Sequence, residues 1–221
     1  SKAELLVNDG AQVHEQAADA VRQADMAISL LESGPVVADV LFRQGVAEAL
    51  APGALFIDMA SIQPAEARAH AAQLMARGAA YLDAPVSGGT VGAEAGTLAI
   101  MVGGEAADFS RAQPVFAALG RATHVGPHGT GQLTKLANQM IVGITIGAVA
   151  EALLLAAKGG ADMAKVREAL GGGFADSRIL QLHGQRMVER DFAPRGRMTV
   201  QLKDMRNALS TAQELGFDAP V

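Results

Sequence analysis

The first half of the chain alternates short apolar runs with stretches that have helical spacing. The apolar runs lie at residues 26–31, 54–60, 79–86 and 97–104. Strands that are buried on both faces are nearly continuous in apolar residues, as these runs are. The pattern therefore predicts four strands of a sheet that is covered on both faces.

The stretches between these runs predict helices at residues 35–50, 64–78 and 106–120. The first two begin with proline, which is favourable in a first helical turn, and the second ends in glycine. A short strand is expected to follow at residues 122–126. The order strand, helix, strand, helix is typical of a parallel sheet covered by helices.

The second half of the chain shows no strand-like alternation. Residues 129–159 contain no proline and predict a single helix, about 45 Å long at about 1.5 Å per residue. Further helical patterns follow at residues 161–171, 177–190 and 199–216. We place a domain boundary near residue 127, which gives an α/β domain of residues 1–127 and an all-helical domain of residues 128–221.

Composition narrows the class of protein. The chain has 221 residues and a net charge of −5, so a nucleic acid or an anionic membrane is not an expected partner. It contains no cysteine, which excludes disulfides, thiolate metal sites and cysteine nucleophiles, and fits a cytoplasmic location. The longest apolar run, residues 140–150, is shorter than a membrane span.

Two segments could carry chemistry. After the third strand, "DAPVSGG" places Ser87 before Gly88 and Gly89. This loop could cradle a carboxylate on its backbone N–H groups, or it could be a plain glycine-rich connection. On the long helix, Gly131, Lys135, Asn138 and Gln139 share one face. They could orient a proton-transferring lysine, or they could form a solvated first turn.

Other polar residues give weaker signals. Lys203 and Asp204 are adjacent on a helical stretch, where a surface ion pair is the simpler interpretation. The histidines have no metal-ligand spacing, so no metal is expected.

Four segments together resemble the β-hydroxyacid dehydrogenase family. "DAPVSGGTVGAEAGTLAIMVGG" is similar to its substrate-loop signature, and "GTGQLTKLANQ" to its catalytic-lysine helix. "LKDMRNA" is similar to its C-terminal lysine motif, and "LFIDMASIQP" to the strand and loop beneath the nicotinamide. The resemblance implies an incomplete Rossmann-type doubly wound sheet, followed by an all-α domain with one long interdomain helix.

The resemblance also implies a substrate site. Lys135 would be the catalytic acid and base, and Ser87, Gly88 and Gly89 would hold the substrate carboxylate. Asn138 would orient the reacting oxygen or Lys135, with Gln139 as a weaker helper. The substrate would be a small hydroxy or oxo acid. The second half resembles the 2-hydroxy-3-oxopropionate (tartronate semialdehyde) reductase group most. The alternatives are 3-hydroxyisobutyrate dehydrogenase, another short-chain β-hydroxyacid dehydrogenase, or a catalytically silent dimeric relative.

The cofactor implied is NADP or NAD, with NADP favoured by the reductase group. Leu31, Ser61 and Lys203 would contact it, together with the backbone at Glu32, where many relatives have proline. The family's first strand, its G-x-G-x-x-G turn and its first helix are not in this sequence, nor is its last helix. We therefore expect a piece of a longer chain. We also expect a homodimer or homotetramer, because the apolar surface of the long helix needs to be covered by a partner subunit.

Overall fold

The computed structural model describes residues 3–220. They divide into two compact units, residues 3–135 and residues 136–220. The sequence places a boundary near residue 127, before the long helix. The two compact units divide inside that helix, whose first turn is hydrogen-bonded to the strand residue Asp83 of the first unit.

The first unit is built on a mixed six-stranded sheet. Its strands are β1 (Met26–Ser29), β2 (Leu55–Asp58), β3 (Ala80–Asp83), β4 (Val86–Ser87), β5 (Leu98–Gly103) and β6 (Gly120–Gly126). The order is β1-β2-β3-β5-β4, with β6 paired to β5. Strands β1, β2 and β3 run parallel, as do β5 and β6, whereas β5 is antiparallel to β3 and β4. The expectation of a wholly parallel sheet is therefore wrong at β3, β4 and β5.

The predicted strand at residues 79–86 is divided into β3 and β4. The break falls at Ala84 and Pro85. Proline has no backbone N–H to donate to a sheet ladder, so the ladder loses a hydrogen bond at Pro85. The pairing register with β5 is the same on both sides of the break, with Asp83 opposite Gly103 and Val86 opposite Ile100.

Both faces of the sheet are covered by core residues. All four residues of β2 are buried. Leu55 and Ile57 belong to one hydrophobic cluster and Phe56 to another, as alternation along a strand requires. The prediction of strands buried on both faces is confirmed for β2.

The helices of the first unit are α1 (Ala17–Ala20), α2 (Gly34–Ala38), α3 (Val46–Ala49), α4 (Pro64–Met75), α5 (Gly89–Glu94) and α6 (Ala106–Leu119), and Ala3–Asp9 is a 3₁₀ turn. The helix predicted at residues 35–50 is therefore interrupted. A π-helical turn, Asp39–Arg43, follows α2, and Gly45 then takes a left-handed conformation with φ of 77°. This conformation suits glycine and ends the helical run before α3.

The second unit is helical. Its helices are the greater part of α7 (Thr130–Lys158), α8 (Met163–Leu170), α9 (Gln185–Glu189) and α10 (Met198–Glu214), with a π-helical turn at Leu180–Gly184. Val149, Leu153 and Leu180 form its buried core. Gly143 lets α10 approach α7, because a Cβ at that glycine would lie 3.1 Å from Met205 Sδ. The expected fold class, α/β followed by a helical part, is confirmed.

The long helix α7 is unusually apolar. By length and composition alone it could cross a membrane, and only 6% of its most apolar 18-residue stretch is buried inside the molecule. The uninterrupted apolar run at residues 140–150, which is shorter than a membrane span, is only part of this helix. Its first turns carry the buried polar residues Gln132 and Lys135.

Candidate active site

Two buried carboxyl groups lie side by side where β2 and β3 end. Asp58 and Asp83 are paired residues in the parallel register, and both are fully buried. Asp58 accepts hydrogen bonds from Ser29 Oγ at 3.0 Å, Tyr81 Oη at 3.1 Å and the Ala60 N–H at 3.0 Å. Burial raises the pKa of Asp58 to about 6, and the charge of Asp83 also raises it, although the three donors oppose the shift.

Asp83 binds the first turn of helix α7. Its carboxylate oxygens accept the Gly129 N–H at 2.7 Å and the Gln132 N–H at 2.9 Å. The N–H groups at a helix start have no partner within the helix, so this carboxylate satisfies two of them and complements the helix dipole. Burial raises the pKa of Asp83, and the two N–H donors oppose that shift.

Glycine allows this contact to form. A Cβ on Gly103 would lie 2.7 Å from Asp83 Oδ1, and a Cβ on Gly131 would lie 2.5 Å from the Asp83 carbonyl oxygen. Any side chain at these positions would push the helix start away from the strand ends. Gly131 therefore has a steric role at the helix start, beside the polar face that it shares with Lys135.

Lys135 lies one helical turn beyond Gly131 and reaches the loop that follows β3. Its side chain is largely buried, with 9% of its surface exposed. Its Nζ donates a hydrogen bond to the Val86 carbonyl oxygen at 2.8 Å. Because Val86 directly precedes Ser87, the structure brings the predicted catalytic lysine next to the predicted carboxylate loop.

The carboxylate loop requires glycine at two positions. Gly88 has φ of 142° and Gly89 has φ of 62°, and side chains are strained in both conformations. A Cβ on Gly88 would lie 3.0 Å from Leu98 Cδ2, whereas nothing lies within 4 Å of a Cβ on Gly89. Ser87 is half-buried, and both glycines are exposed. The backbone of this loop is therefore open to a ligand.

The predicted cofactor contacts of the first unit follow β1 and β2. Leu31 is half-buried, Glu32 is exposed, and Ser61 is half-buried. Because β1 and β2 are parallel, their carboxyl ends meet at one edge of the sheet, where open α/β sheets bind their ligands. Sequence reasoning missed Gln132 here, which hydrogen-bonds the residues on both sides of Ser61. In the sequence, only its position three residues before Lys135 on the same helix could have pointed to Gln132.

The second unit contains a separate chain of polar contacts. Gln139 Nε2 donates to Asp204 Oδ2 at 2.7 Å and to Gln201 Oε1 at 3.0 Å, while its Oε1 accepts from Asn138 Nδ2 at 2.8 Å. Lys203 Nζ lies 3.2 Å from Asp204 Oδ1. Asp204 is buried, so its pair with Lys203 is not the surface ion pair that the sequence suggested.

Metal ligands are not clustered in the described part of the chain. Within residues 3–220, no group of three or more histidine, aspartate or glutamate side chains is placed to hold a metal ion.

Comparison with known proteins accounts for the whole chain. Residues 1–128 match the NAD binding domain of 6-phosphogluconate dehydrogenase, and residues 129–221 match the NAD-binding domain of NADP-dependent 3-hydroxyisobutyrate dehydrogenase. The 2-hydroxy-3-oxopropionate reductase of Escherichia coli (strain K12) is 46% identical over 220 residues, which cover 99% of this chain and 75% of that protein. The chain belongs to the β-hydroxyacid dehydrogenase family.

Other members of the β-hydroxyacid dehydrogenase family are also similar to this chain in sequence and in structure. The 3-hydroxyisobutyrate dehydrogenase of Pseudomonas aeruginosa is 36% identical over 225 residues, covering 98% of this chain and 76% of that protein. The solved structure of the Mycobacterium tuberculosis 3-hydroxyisobutyrate dehydrogenase with L-serine is 32% identical, with a TM-score of 0.89. The match covers 99% of this chain and 77% of that chain. The protein is therefore an oxidoreductase of the β-hydroxyacid dehydrogenase family with NAD(P)-binding domains, and its first unit is Rossmann-like.

The carboxyl ends of β1 and β2 fit a nicotinamide dinucleotide. Leu30, directly after β1, is 69% exposed and offers an apolar surface beside Leu31. Ser61 offers a hydroxyl after β2. The start of α2 approaches α4 closely, since a Cβ on Gly34 would overlap the Glu66 carboxylate. An apolar surface and a hydroxyl after these two strands suit a ring that carries a carboxamide.

The buried Asp58 predicts a stability that depends on pH. Its pKa is about 6 in the folded protein and 3.8 ordinarily, so between pH 4 and pH 6 the folded state holds a proton that the unfolded state has lost. The free energy of unfolding should therefore fall as the pH rises through this range, by about 1.4 kcal/mol per pH unit from this group.

Asp58→Asn removes the titrating carboxyl. The free energy of unfolding of this variant, measured by urea unfolding at a series of pH values, should therefore change less between pH 4 and pH 6. Asp218→Asn, at an exposed carboxyl, controls for the change of charge. Parallel profiles for the wild type and Asp58→Asn would contradict the assignment.

Proposed function

We propose that the protein transfers hydride between NAD(P)(H) and a small 3-hydroxy acid or its semialdehyde, with 2-hydroxy-3-oxopropionate as the first candidate substrate. One observation carries the proposal: the buried Lys135 amine is held 2.8 Å from the Val86 carbonyl, beside the open backbone of Ser87, Gly88 and Gly89. An amine for proton transfer thus lies next to a loop that can receive a carboxylate. The name of the Escherichia coli relative supports the choice of substrate.

The carboxylate loop and Lys135 have distinct roles in this proposal. The backbone N–H groups at Ser87, Gly88 and Gly89 bind the substrate carboxylate, which glycine permits because no side chain blocks a close approach. Lys135 exchanges a proton with the substrate oxygen. In oxidation, the hydroxyl proton passes to the lysine amine as the carbinol carbon loses hydride. In reduction, the ammonium returns the proton to the carbonyl oxygen.

We propose that Asn138 acts on the reacting groups and that Gln139 acts through Asn138. Asn138 orients the reacting oxygen or Lys135, which lies three residues earlier on the same helix. The Gln139 amide donates to Asp204 and Gln201 and accepts from Asn138. These contacts favour Gln139 as the residue that holds Asn138, rather than as a direct contact of the substrate.

We propose Leu31, the Glu32 backbone, Ser61 and Lys203 as the cofactor contacts. The bound nicotinamide supplies or accepts the hydride. Leu31 and Ser61 follow β1 and β2, and both would contact the nicotinamide ring. Lys203 pairs with Asp204 in the second unit and would supply a positive charge to the dinucleotide. NADP is favoured over NAD by the reductase group, and we propose a cytoplasmic location for the enzyme.

A panel of substrates tests the function. The protein is assayed with 2-hydroxy-3-oxopropionate, 3-hydroxyisobutyrate, L-serine and a phosphorylated hydroxy acid, each with NAD(H) and with NADP(H), at the absorbance of the reduced nicotinamide. The highest kcat/KM is expected for 2-hydroxy-3-oxopropionate. A preference for 3-hydroxyisobutyrate would select the alternative dehydrogenase, and no turnover of any member would favour the catalytically silent relative.

Lys135→Ala should lower kcat by about 10²- to 10⁴-fold, because general acid–base help of this size is lost. Binding of the hydroxy acid, measured by calorimetry, should change little because the carboxylate loop remains. Lys158→Ala, at an exposed lysine in the last turn of the same helix, is the matched control and should keep full activity. Near-normal turnover by Lys135→Ala would refute the role of this lysine.

We also propose that the exposed apolar face of α7 is covered by a second copy of the chain. Ile141 and Leu155 are 67% and 75% exposed, and Ile144 and Leu154 are 40% and 57% exposed. Ile141 and Leu155 lie fourteen residues apart and so share one face of the helix. So large an apolar surface is unusual on a monomer.

Sedimentation velocity should show a dimer or a tetramer for the wild type. Leu155→Glu should shift the protein toward monomer, because a charge would be buried in the interface. Leu5→Glu changes an equally exposed leucine outside α7, at 72% exposure, and should leave the assembly intact. A monomeric wild type at micromolar concentration would rule out the proposed interface.

A further inference from the structure

Gln132 is a polar side chain in the interior of the first unit. It lies in the first turns of α7 and is fully buried, with none of its surface exposed. Neither the substrate loop nor the proposed cofactor contacts include it. A buried amide is costly unless its donors and acceptors are paired, so its partners show what it does.

The side-chain amide bridges the loop that follows β2. Gln132 Oε1 accepts the Ile62 N–H at 3.0 Å, and Gln132 Nε2 donates to the Ala60 carbonyl oxygen at 2.8 Å. These two backbone groups lie on either side of Ser61. The amide therefore holds the Ser61 backbone from both ends, as a neighbouring strand would.

The backbone of Gln132 is fixed as well. Its N–H donates to Asp83 Oδ2 at 2.9 Å, at the start of the segment that leads to the carboxylate loop. Lys135 lies three residues further along the same helix, about one turn away. One residue thus connects the end of β3, the loop after β2 and the helix turn that carries the lysine.

Simple filling of space does not explain the choice of an amide. A methionine has a similar volume and would bury the same apolar stem without any polar atom to satisfy. The amide instead matches one donor and one acceptor of the loop, and this pairing fixes where the loop lies relative to the helix.

We infer that Gln132 is a positioning residue that sets the distance between the Ser61 loop and Lys135. The inference rests on the proposed function, in which Ser61 contacts the nicotinamide and Lys135 exchanges the proton. Hydride and proton transfer to one substrate need both sides at the correct separation. A displacement of about 1 Å can lower a rate by about 10²-fold.

The first test needs no cofactor. Hydrogen–deuterium exchange is measured for peptides that contain Ser61 and Ile62 in the wild type and in Gln132→Met. The variant should exchange about tenfold faster at the Ile62 amide, because that N–H loses its acceptor. Peptides from Leu98–Gly103 should exchange as in the wild type. Phe116→Leu, which alters a buried ring on α6, is the control for general destabilisation and should not single out the Ser61 loop.

The second test is kinetic. Gln132→Met should lower kcat by about 10- to 100-fold while KM for the hydroxy acid changes by less than about threefold, since the carboxylate loop is not altered. Phe116→Leu should lose thermal stability but keep both constants. If Gln132→Met does not fold, Gln132→Asn carries the test: it keeps a neutral amide on a stem one methylene shorter, so the contacts with both Ile62 and Ala60 are lengthened, and the same changes are expected on a smaller scale.

The outcomes separate the inference from the function on which it rests. Faster loop exchange together with the loss of kcat supports the inference. Unchanged exchange, or faster exchange with normal kcat, overturns it while an active wild type leaves the proposed function intact. A wild type that turns over no member of the panel overturns the proposed function and the catalytic part of the inference, and the exchange measurement then decides separately whether Gln132 holds the loop.

Discussion

The capping of helix α7 by Asp83 is the contact on which the arrangement of the first unit depends. A buried carboxylate at the end of β3 accepts two N–H groups from the helix start, Gly129 and Gln132. Removing a charged acceptor from water is costly, and the two N–H donors together with the helix dipole offset that cost. The helix that carries Lys135 is thereby attached to the strand that leads into the carboxylate loop.

Small residues make this attachment possible. Gly103 and Gly131 leave room for the carboxylate and for the helix backbone, at distances that a Cβ would close to 2.5–2.7 Å. The absence of side chains likewise leaves the backbone of Gly88 and Gly89 open to a ligand. Glycine in this protein therefore serves two purposes, tight packing beneath the site and exposure of backbone at its surface.

Each unit holds its proposed functional side chains through buried polar partners. In the first unit, Gln132 holds the loop around Ser61, and Asp83 holds the helix before Lys135. In the second, Asp204 pairs with Lys203 and accepts from Gln139, which in turn accepts from Asn138. These partners would not contact a ligand, yet they restrict the side chains that would, as preorganisation requires.

The sequence by itself determined the fold class, the helical second part and the residues worth examining. Apolar runs and helical spacing depend on near neighbours in the chain, so they could be interpreted without coordinates, and four motifs indicated the family. The antiparallel β4, the interruption of the helix at Gly45 and the burial of Asp204 were decided by tertiary structure. So was the role of Gln132, whose partners Ala60 and Ile62 lie about seventy positions away in the chain. A hydrogen bond between such distant residues leaves no periodic trace in a single sequence, because only folding brings its donor and acceptor together.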